Sequence, residues 1–138
     1  MKDTVDAAID VQRLINKPEV KSLLTGTIWL GERPAGRQSL SDIVINSGTV
    51  NNMQYQIGFV EVNIYWPNMK EAPNTGLADQ ANLRRVGKVV SSFLDTQWEE
   101  TFSLEIENAG KIFKDLDGSN YYNIGCRYRA LQDNYKNI

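Results

Sequence analysis

The segment that most constrains the fold is the run Gln56 to Asn68, which reads QIGFVEVNIYWPN. Its apolar and polar side chains alternate: one row holds Val60, Val62, Ile64 and Trp66, and the other holds Glu61, Asn63 and Tyr65. Alternation of β-branched and aromatic residues with polar ones indicates a half-buried β-strand. Pro67 and Asn68 favour a turn, so we expect the strand to end there. At roughly 3.3 Å per residue the part of the run before Pro67 is about 30 Å long, which predicts the central strand of a sheet.

Helical periodicity marks two segments, residues 4–15 and residues 77–95. The first has Asp3 or Thr4 as its expected N-cap, and a short second helix is predicted after Pro18, stopping by Gly26. Gly87 lies inside the long helix, where it costs about 1 kcal/mol relative to alanine. A close approach between this helix and the sheet would explain its presence.

Further strands are predicted at residues 27–30, 42–46, 102–107 and 122–130, with a weaker one at residues 111–116. Asp117-Gly118 is a strong tight-turn dipeptide between the last two. Residues 49–55 fit either a continuation of a strand or a hairpin loop. The order of elements predicts an α+β fold: one mostly antiparallel sheet, with the N-terminal helix and one long helix packed on one face.

The chain of 138 residues fits a single domain, residues 1–138, with a polar tail from about residue 132 that we expect to fray. Fifteen Lys plus Arg against 17 Asp plus Glu are spread evenly, so no basic block predicts sequence-specific nucleic-acid binding. No apolar run reaches the length of a membrane span, and no signal peptide is apparent, which favours a soluble intracellular protein.

Catalytic and metal chemistry find little support in the residue types. The chain has no histidine, which removes histidine-dependent triads and His-ligated metals, and we expect its one cysteine, Cys126, to be a buried apolar residue. Asp115 to Asn120 looks like the start of a calcium loop, but the twelfth position is Cys126 instead of an acid, so a hairpin turn is predicted. We therefore predict a protein that is not an enzyme and has no cofactor and no metal.

Two pairs of arginines are the polar residues that most suggest a binding surface. Arg33 and Arg37 flank the loop sequence Pro-Ala-Gly, where they suit a phosphate or a partner's carboxylates, or are simply solubilising. Arg127 and Arg129 lie on one face of the last strand with Tyr121, which fits either a protein interface or a solvated sheet face.

The linear arrangement resembles the small tail-completion or tail-terminator proteins of long-tailed bacteriophages and prophages. The stretches that carry the resemblance are IWLGERPAG, DIVI, VEVNIYWPN, NLRRVGKVVSSFLD and FKDLDGSNYYNIGCRYRAL, in that order over nearly the whole chain. The family's strand after the first loop usually reads proline, an aromatic residue and Val-Val-Ile. Here Ser41-Asp42-Ile43-Val44-Ile45 keeps the aliphatic part and lacks the proline.

The resemblance implies a structural α+β protein of the virion tail, assembled in the bacterial host cytoplasm. Such proteins form a ring, typically hexameric, that caps the tail tube and joins it to the head connector, so the implied partners are further copies of the chain, tail-tube proteins and head-connector proteins. Two alternatives stay open: a neck or head-completion protein of the same virion class, and a small-molecule-binding α+β domain outside phages.

Subunit contacts are then expected on the exposed sheet face and in the long loops. The candidate interface residues are Arg33, Arg37, Glu61, Tyr65, Arg127 and Arg129. A ring needs two different matching patches on each subunit, and one such pairing sets the two loop arginines against the acidic pair Glu99-Glu100. This pairing predicts that Arg37→Glu weakens assembly in analytical ultracentrifugation without unfolding the monomer.

Overall fold

The computed structural model describes residues 2–51 and 55–131, without the side chains of Tyr55 and Leu131. Three helices are described: α1 (Thr4–Ile15), α2 (Pro18–Lys21) and α3 (Gln80–Leu94). The strands are β1 (Ile28–Leu30), β2 (Asp42–Ser47), β3 (Tyr55–Trp66), β4 (Gln97–Trp98), β5 (Phe102–Lys114) and β6 (Asn120–Leu131).

The strands form one curled sheet in the order β1-β2-β3-β6-β5-β4. Only β1 and β2 are parallel, and all other neighbours are antiparallel. β3 lies at the centre, where it pairs with β2 on one side and along its whole length with β6 on the other. The α+β prediction and the central position of this strand are therefore confirmed.

The core lies between the helices and one face of the sheet. The inward row of β3, Val60, Val62 and Ile64, is fully buried in the same cluster as the apolar stripes of α1 and α3. We call the opposite side of the sheet, which carries Glu61, Asn63 and Tyr65, the outer face. Because side chains alternate along a strand, the outward positions of each strand line this face.

Gly87 marks the closest approach of α3 to the sheet. A Cβ atom built at this position would lie 2.6 Å from the Tyr122 ring of β6, well inside van der Waals contact. The helix packs on the flat side of this ring only because residue 87 has no side chain, which accounts for a glycine in the middle of a helix.

α1 is attached to the sheet by a buried polar contact as well as by its apolar stripe. Asp3 caps the helix by accepting a hydrogen bond from the backbone N–H of Asp6. Further along, the buried Asp10 accepts a 2.6 Å hydrogen bond from the Tyr128 hydroxyl and a 3.0 Å hydrogen bond from Lys2 Nζ. Asp10 therefore has partners for its charge, as a buried carboxylate requires.

Several boundaries differ from the sequence predictions. The two strands predicted at residues 102–107 and 111–116 are one strand, β5, which ends at Lys114, so residues 115 and 116 lie in the turn that follows. The pairing of β5 with β6 shifts register between Ile106 and Asn108 and again between Ala109 and Lys111. These irregularities break the alternation that the prediction relied on. α3 begins at Gln80 instead of residue 77, and α2 ends at Lys21. Residues 52–54, within the segment predicted as either a strand continuation or a hairpin loop, and the polar tail from residue 132 lie outside the described part of the chain.

Candidate interaction surface

Asp42, at the start of β2, is the centre of a buried charge cluster. Its side chain is 0% exposed and accepts hydrogen bonds from Arg37 Nε at 2.9 Å and from Arg37 Nη2 at 3.0 Å. Arg33 Nη1 approaches the same carboxylate at 3.2 Å, and the backbone N–H of Thr27 donates to it at 2.8 Å. The two-pronged contact with Arg37 matches the planar guanidinium to the planar carboxylate, a strong and directional arrangement.

The protonation of Asp42 reflects this environment. Burial acts to raise the pKa of its carboxyl, but the hydrogen bonds from Arg37 and from the Thr27 backbone act in the opposite direction and outweigh it. The pKa of Asp42 therefore lies below its ordinary value, and that of the Arg37 guanidinium is raised by its hydrogen bonds to Asp42. The carboxylate is ionised at neutral pH, so the buried charge is compensated by its arginine partners.

Arg33 links the cluster to the turn between β5 and β6, which is distant in sequence. Its side chain is only 7% exposed; Nη2 donates to Ser119 Oγ at 2.9 Å and lies 3.8 Å from a carboxylate oxygen of Asp117. The guanidinium also stacks 3.8 Å from the centroid of the Tyr65 ring. One side chain from the β1–β2 loop thus holds the β5–β6 turn against the outer face.

The β5–β6 turn has two further attachments. The Tyr65 hydroxyl donates to Asp115 Oδ2 at 2.8 Å, and Asn68 Nδ2 donates to the Gly118 carbonyl at 2.8 Å. Burial, followed by the hydrogen bond to Asp115, raises the pKa of Tyr65, so this hydroxyl remains a donor at neutral pH. The turn is fixed from several sides while Leu116 at its tip is fully exposed.

The position of the β1–β2 loop follows from the topology. Parallel neighbours cannot be joined by a tight hairpin, so the chain must travel back along the sheet between them. Here residues 31–41 make that return and place Arg33 over Tyr65 and Arg37 over Trp29, with the Arg37 guanidinium 5.0 Å from the centroid of the Trp29 ring. The loop covers one end of the outer face.

At the other end of the outer face is a patch of mixed apolar and charged residues. It consists of Ile57 and Phe59 on β3, Arg127 and Arg129 on β6, and Glu105 and Glu107 on β5, and we call it the outer-face patch. Phe59 is 49% exposed and Ile57 is 37% exposed. Arg129 Nη1 pairs with Glu105 at 2.7 Å, Arg127 pairs with Glu107, and the Arg127 guanidinium lies 5.3 Å from the centroid of the Phe59 ring.

The six candidate residues thus fall into two groups and one separate position. Arg33, Arg37 and Tyr65 belong to the Asp42 cluster: both arginines bind Asp42 of the same chain, and Arg33 stacks on Tyr65. Arg127 and Arg129 belong to the outer-face patch. Glu61 is exposed on the outer face between the two groups. Their role in contacts between subunits stays a prediction.

Sequence reasoning missed Asp42 as an organising residue and missed Phe59 as an exposed aromatic residue. Both left a signal. Asp42 is an acid at the start of an otherwise apolar strand, with two arginines in the preceding loop, and Phe59 falls on the outward row of the alternation that identified β3. Ser119 and Asp115 gave no such signal, because their contacts join residues distant in sequence.

The described residues form several clefts that open to solvent. One cleft of about 530 Å³ lies at the end of the sheet beside the β5–β6 turn and is lined in part by Asn68, Lys70, Lys114 and Ser119. Among residues 2–51 and 55–131 no three acidic, histidine or cysteine side chains come together as a metal site. None of the helices described combines the length and apolar character that crossing a membrane requires.

Comparison with known proteins assigns no family. A scan against protein-family models and a search of curated protein sequences both gave no match.

Proposed function

We propose that this protein is a structural component of a phage or prophage tail, a tail-completion or terminator protein that caps the tail tube and joins it to the head connector. It would act in the virion tail after assembly in the bacterial host cytoplasm. Support comes first from the sequence resemblance, which extends over nearly the whole chain and implies an α+β fold of this kind.

The observation that carries the proposal is the outer-face patch. It combines exposed Phe59 and Ile57 with two arginines, and aromatic residues and arginine are the types enriched in protein interfaces. The arginines are held in place by Glu105 and Glu107, so the patch has a defined shape before a partner arrives. A preorganised surface loses less conformational entropy on binding, which favours association.

The Asp42 cluster supports the same role from the other end of the sheet. It fixes a long loop and a hairpin turn against the outer face through buried ion pairs and hydrogen bonds, while Leu116 projects from the tip of that turn. A subunit that stacks between a tube and a connector needs two distinct contact regions. The patch and the turn are two such regions at opposite ends of one face.

The test is electron microscopy of the purified protein, alone and mixed with tail tubes of the same phage. We expect rings, and tubes capped at one end. Phe59→Asp should abolish capping while leaving the circular dichroism spectrum unchanged. Leu77→Asp, at another exposed apolar position, serves as the matched control and should cap normally.

Two outcomes would contradict the proposal. Uncapped tubes in the presence of the wild-type protein would refute a terminator role. Binding to heads without tails, and not to tubes, would instead assign the protein to the neck or head-completion class.

A further inference from the structure

A large apolar side chain is exposed at the β4 edge of the sheet. Trp98 is 80% exposed, and its pairing with Ser103 of β5 directs it to the outer face. The next two residues, Glu99 and Glu100, are exposed acids. We call Trp98, Glu99 and Glu100 the tryptophan knob: an indole ring beside two negative charges.

A cleft of the opposite character lies between α3 and the sheet. It measures about 300 Å³ and is lined by Gln80, Arg84, Lys88, Gly110, Ile112 and Tyr122. Arg84 and Lys88 are four residues apart on α3 and therefore lie on the same side of the helix. Gly110 contributes no side chain, so the cleft has two cations on one wall and an apolar floor; we call it the α3 cleft.

Within the part of the chain that the structure describes, the charges of the knob and the cleft have no ion-pair partner. In residues 2–51 and 55–131, the ion pairs found involve neither Arg84 and Lys88 nor Glu99 and Glu100. Arg33 and Arg37, the partners that the sequence suggested for the two acids, are instead occupied by Asp42. Arg84 and Lys88 are exposed, so they can pair with the two acids in place of Arg33 and Arg37.

The two features complement each other in shape and charge. An indole ring is wide and flat and can enter an open cleft with an apolar floor, where it removes a large apolar area from water. Cations on the cleft wall attract both the face of the indole ring and the carboxylates beside it. A tryptophan and an arginine in one contact are the residue types that most often dominate binding energy.

One chain cannot join its own knob to its own cleft. Ser103, beside the knob, and Ile112, in the cleft, are separated along β5 by roughly 30 Å at the usual rise of a strand. The knob also faces outward, whereas the cleft opens on the helix side of the sheet. A contact between them must therefore join two copies.

We infer that Trp98 of one copy inserts into the α3 cleft of the next copy, with Glu99 and Glu100 facing Arg84 and Lys88. The contact uses different surfaces on the two copies, so it repeats head to tail and closes into a ring where the rotation allows. The inference rests on the proposed function, because it names the subunit contact of the ring.

A mixing experiment tests both halves of the contact. Trp98→Ala removes the knob, and the double variant Arg84→Glu/Lys88→Glu removes the positive wall of the cleft. Each variant alone should be monomeric in sedimentation velocity, with the dissociation constant raised at least about 30-fold for Trp98→Ala, as expected for a dominant interface residue. Mixed in equal amounts, they should form a dimer and nothing larger, because only one intact knob and one intact cleft remain.

Matched controls separate this contact from general surface effects. Leu77→Ala removes another exposed apolar side chain, and Lys17→Glu/Lys70→Glu makes the same change in net charge elsewhere on the surface. Both should assemble as the wild type does. Wild-type assembly by Trp98→Ala, or a mixture of the two knob and cleft variants that stays monomeric, would overturn the inference.

Cysteine cross-linking provides a second measurement for weak association. The native Cys126 is fully buried, so a Glu99→Cys/Lys88→Cys variant carries two reactive thiols on the surfaces concerned. Oxidation should give a ladder of covalent oligomers, while either substitution alone gives none. The absence of a ladder together with capped tail tubes would overturn this contact and leave the proposed function standing. A ladder without capping would support this contact and overturn the proposed function.

Discussion

Replacing Asp42 by asparagine removes the charge at the centre of the cluster while nearly preserving its shape. The buried Arg33, only 7% exposed, then loses the nearer of its two carboxylate partners and keeps only Asp117 at 3.8 Å, and Arg37 loses both of its hydrogen bonds to an anion. Breaking a buried ion pair by removing one partner typically costs 3–5 kcal/mol. Because Arg37 can still reach water, we expect about 3 kcal/mol, a large share of the roughly 5–15 kcal/mol that stabilises a domain.

Urea denaturation followed by tryptophan fluorescence measures this loss directly. The midpoint of thermal unfolding should fall by about 10 °C for a domain of this size. Limited proteolysis measures whether the β1–β2 loop is released locally. Trypsin should cleave after Arg37 much faster in Asp42→Asn than in the wild type. Asp117→Asn is the matched control: its carboxylate lies 3.8 Å from Arg33 and is partly exposed, so the change should cost under about 1 kcal/mol.

The pH dependence of stability gives an independent check. The folded pKa of Asp42 lies below its ordinary value, so its ionised form stabilises the fold at every pH above the unfolded value of about 3.9. That contribution is lost as the pH falls through the folded pKa. The difference in stability between wild type and Asp42→Asn should therefore be constant near neutral pH and shrink below about pH 4. A cost under 1 kcal/mol at pH 7, or one equal to that of Asp117→Asn, would refute this account of the cluster.

Three further predictions concern the core. Gly87→Ala should destabilise the protein by about 1–2 kcal/mol in urea denaturation, because overpacking against Tyr122 exceeds the gain in helix propensity; a stabilised variant would contradict the close contact. Tyr128→Phe should cost about 1.5–3 kcal/mol in calorimetry by removing the hydrogen bond to the buried Asp10, and an unchanged stability would rule out that bond. Burial raises the pKa of the Cys126 thiol to about 12, so maleimide should label it at pH 8 only in urea; rapid labelling of the native protein would show that the thiol is accessible.

Much of the fold was predictable because its signals are local and repeated. The alternation in β3 identified the central strand and its inward row, Val60, Val62 and Ile64, since side chains of a strand point alternately to two faces. The apolar stripe of the long helix and the position of Gly87 also indicated which side packs on the sheet. Such periodic patterns depend only on residues that are close in sequence, so they can be read without the positions of distant residues.

The candidate site was predictable only in part. Arg127 and Arg129 were correctly placed together on one face of the last strand, because their spacing of two decides that by itself. Their neighbours Phe59 and Glu105 come from two other strands, and the register of those strands is set by long-range pairing. A register shift of one residue would turn each of these side chains to the other face.

The amino-acid sequence by itself therefore determined the fold class, the central strand and the apolar rows of the core. The tertiary structure alone decided that β1 and β2 are parallel, that the loop between them covers one end of the outer face, and that Arg33 and Arg37 consequently meet Asp42. It also joined two predicted strands into β5 and added the short strand that presents Trp98. The physical reason is that periodicity records which face of an element is buried, whereas the partner of a polar side chain depends on how separate elements are brought together.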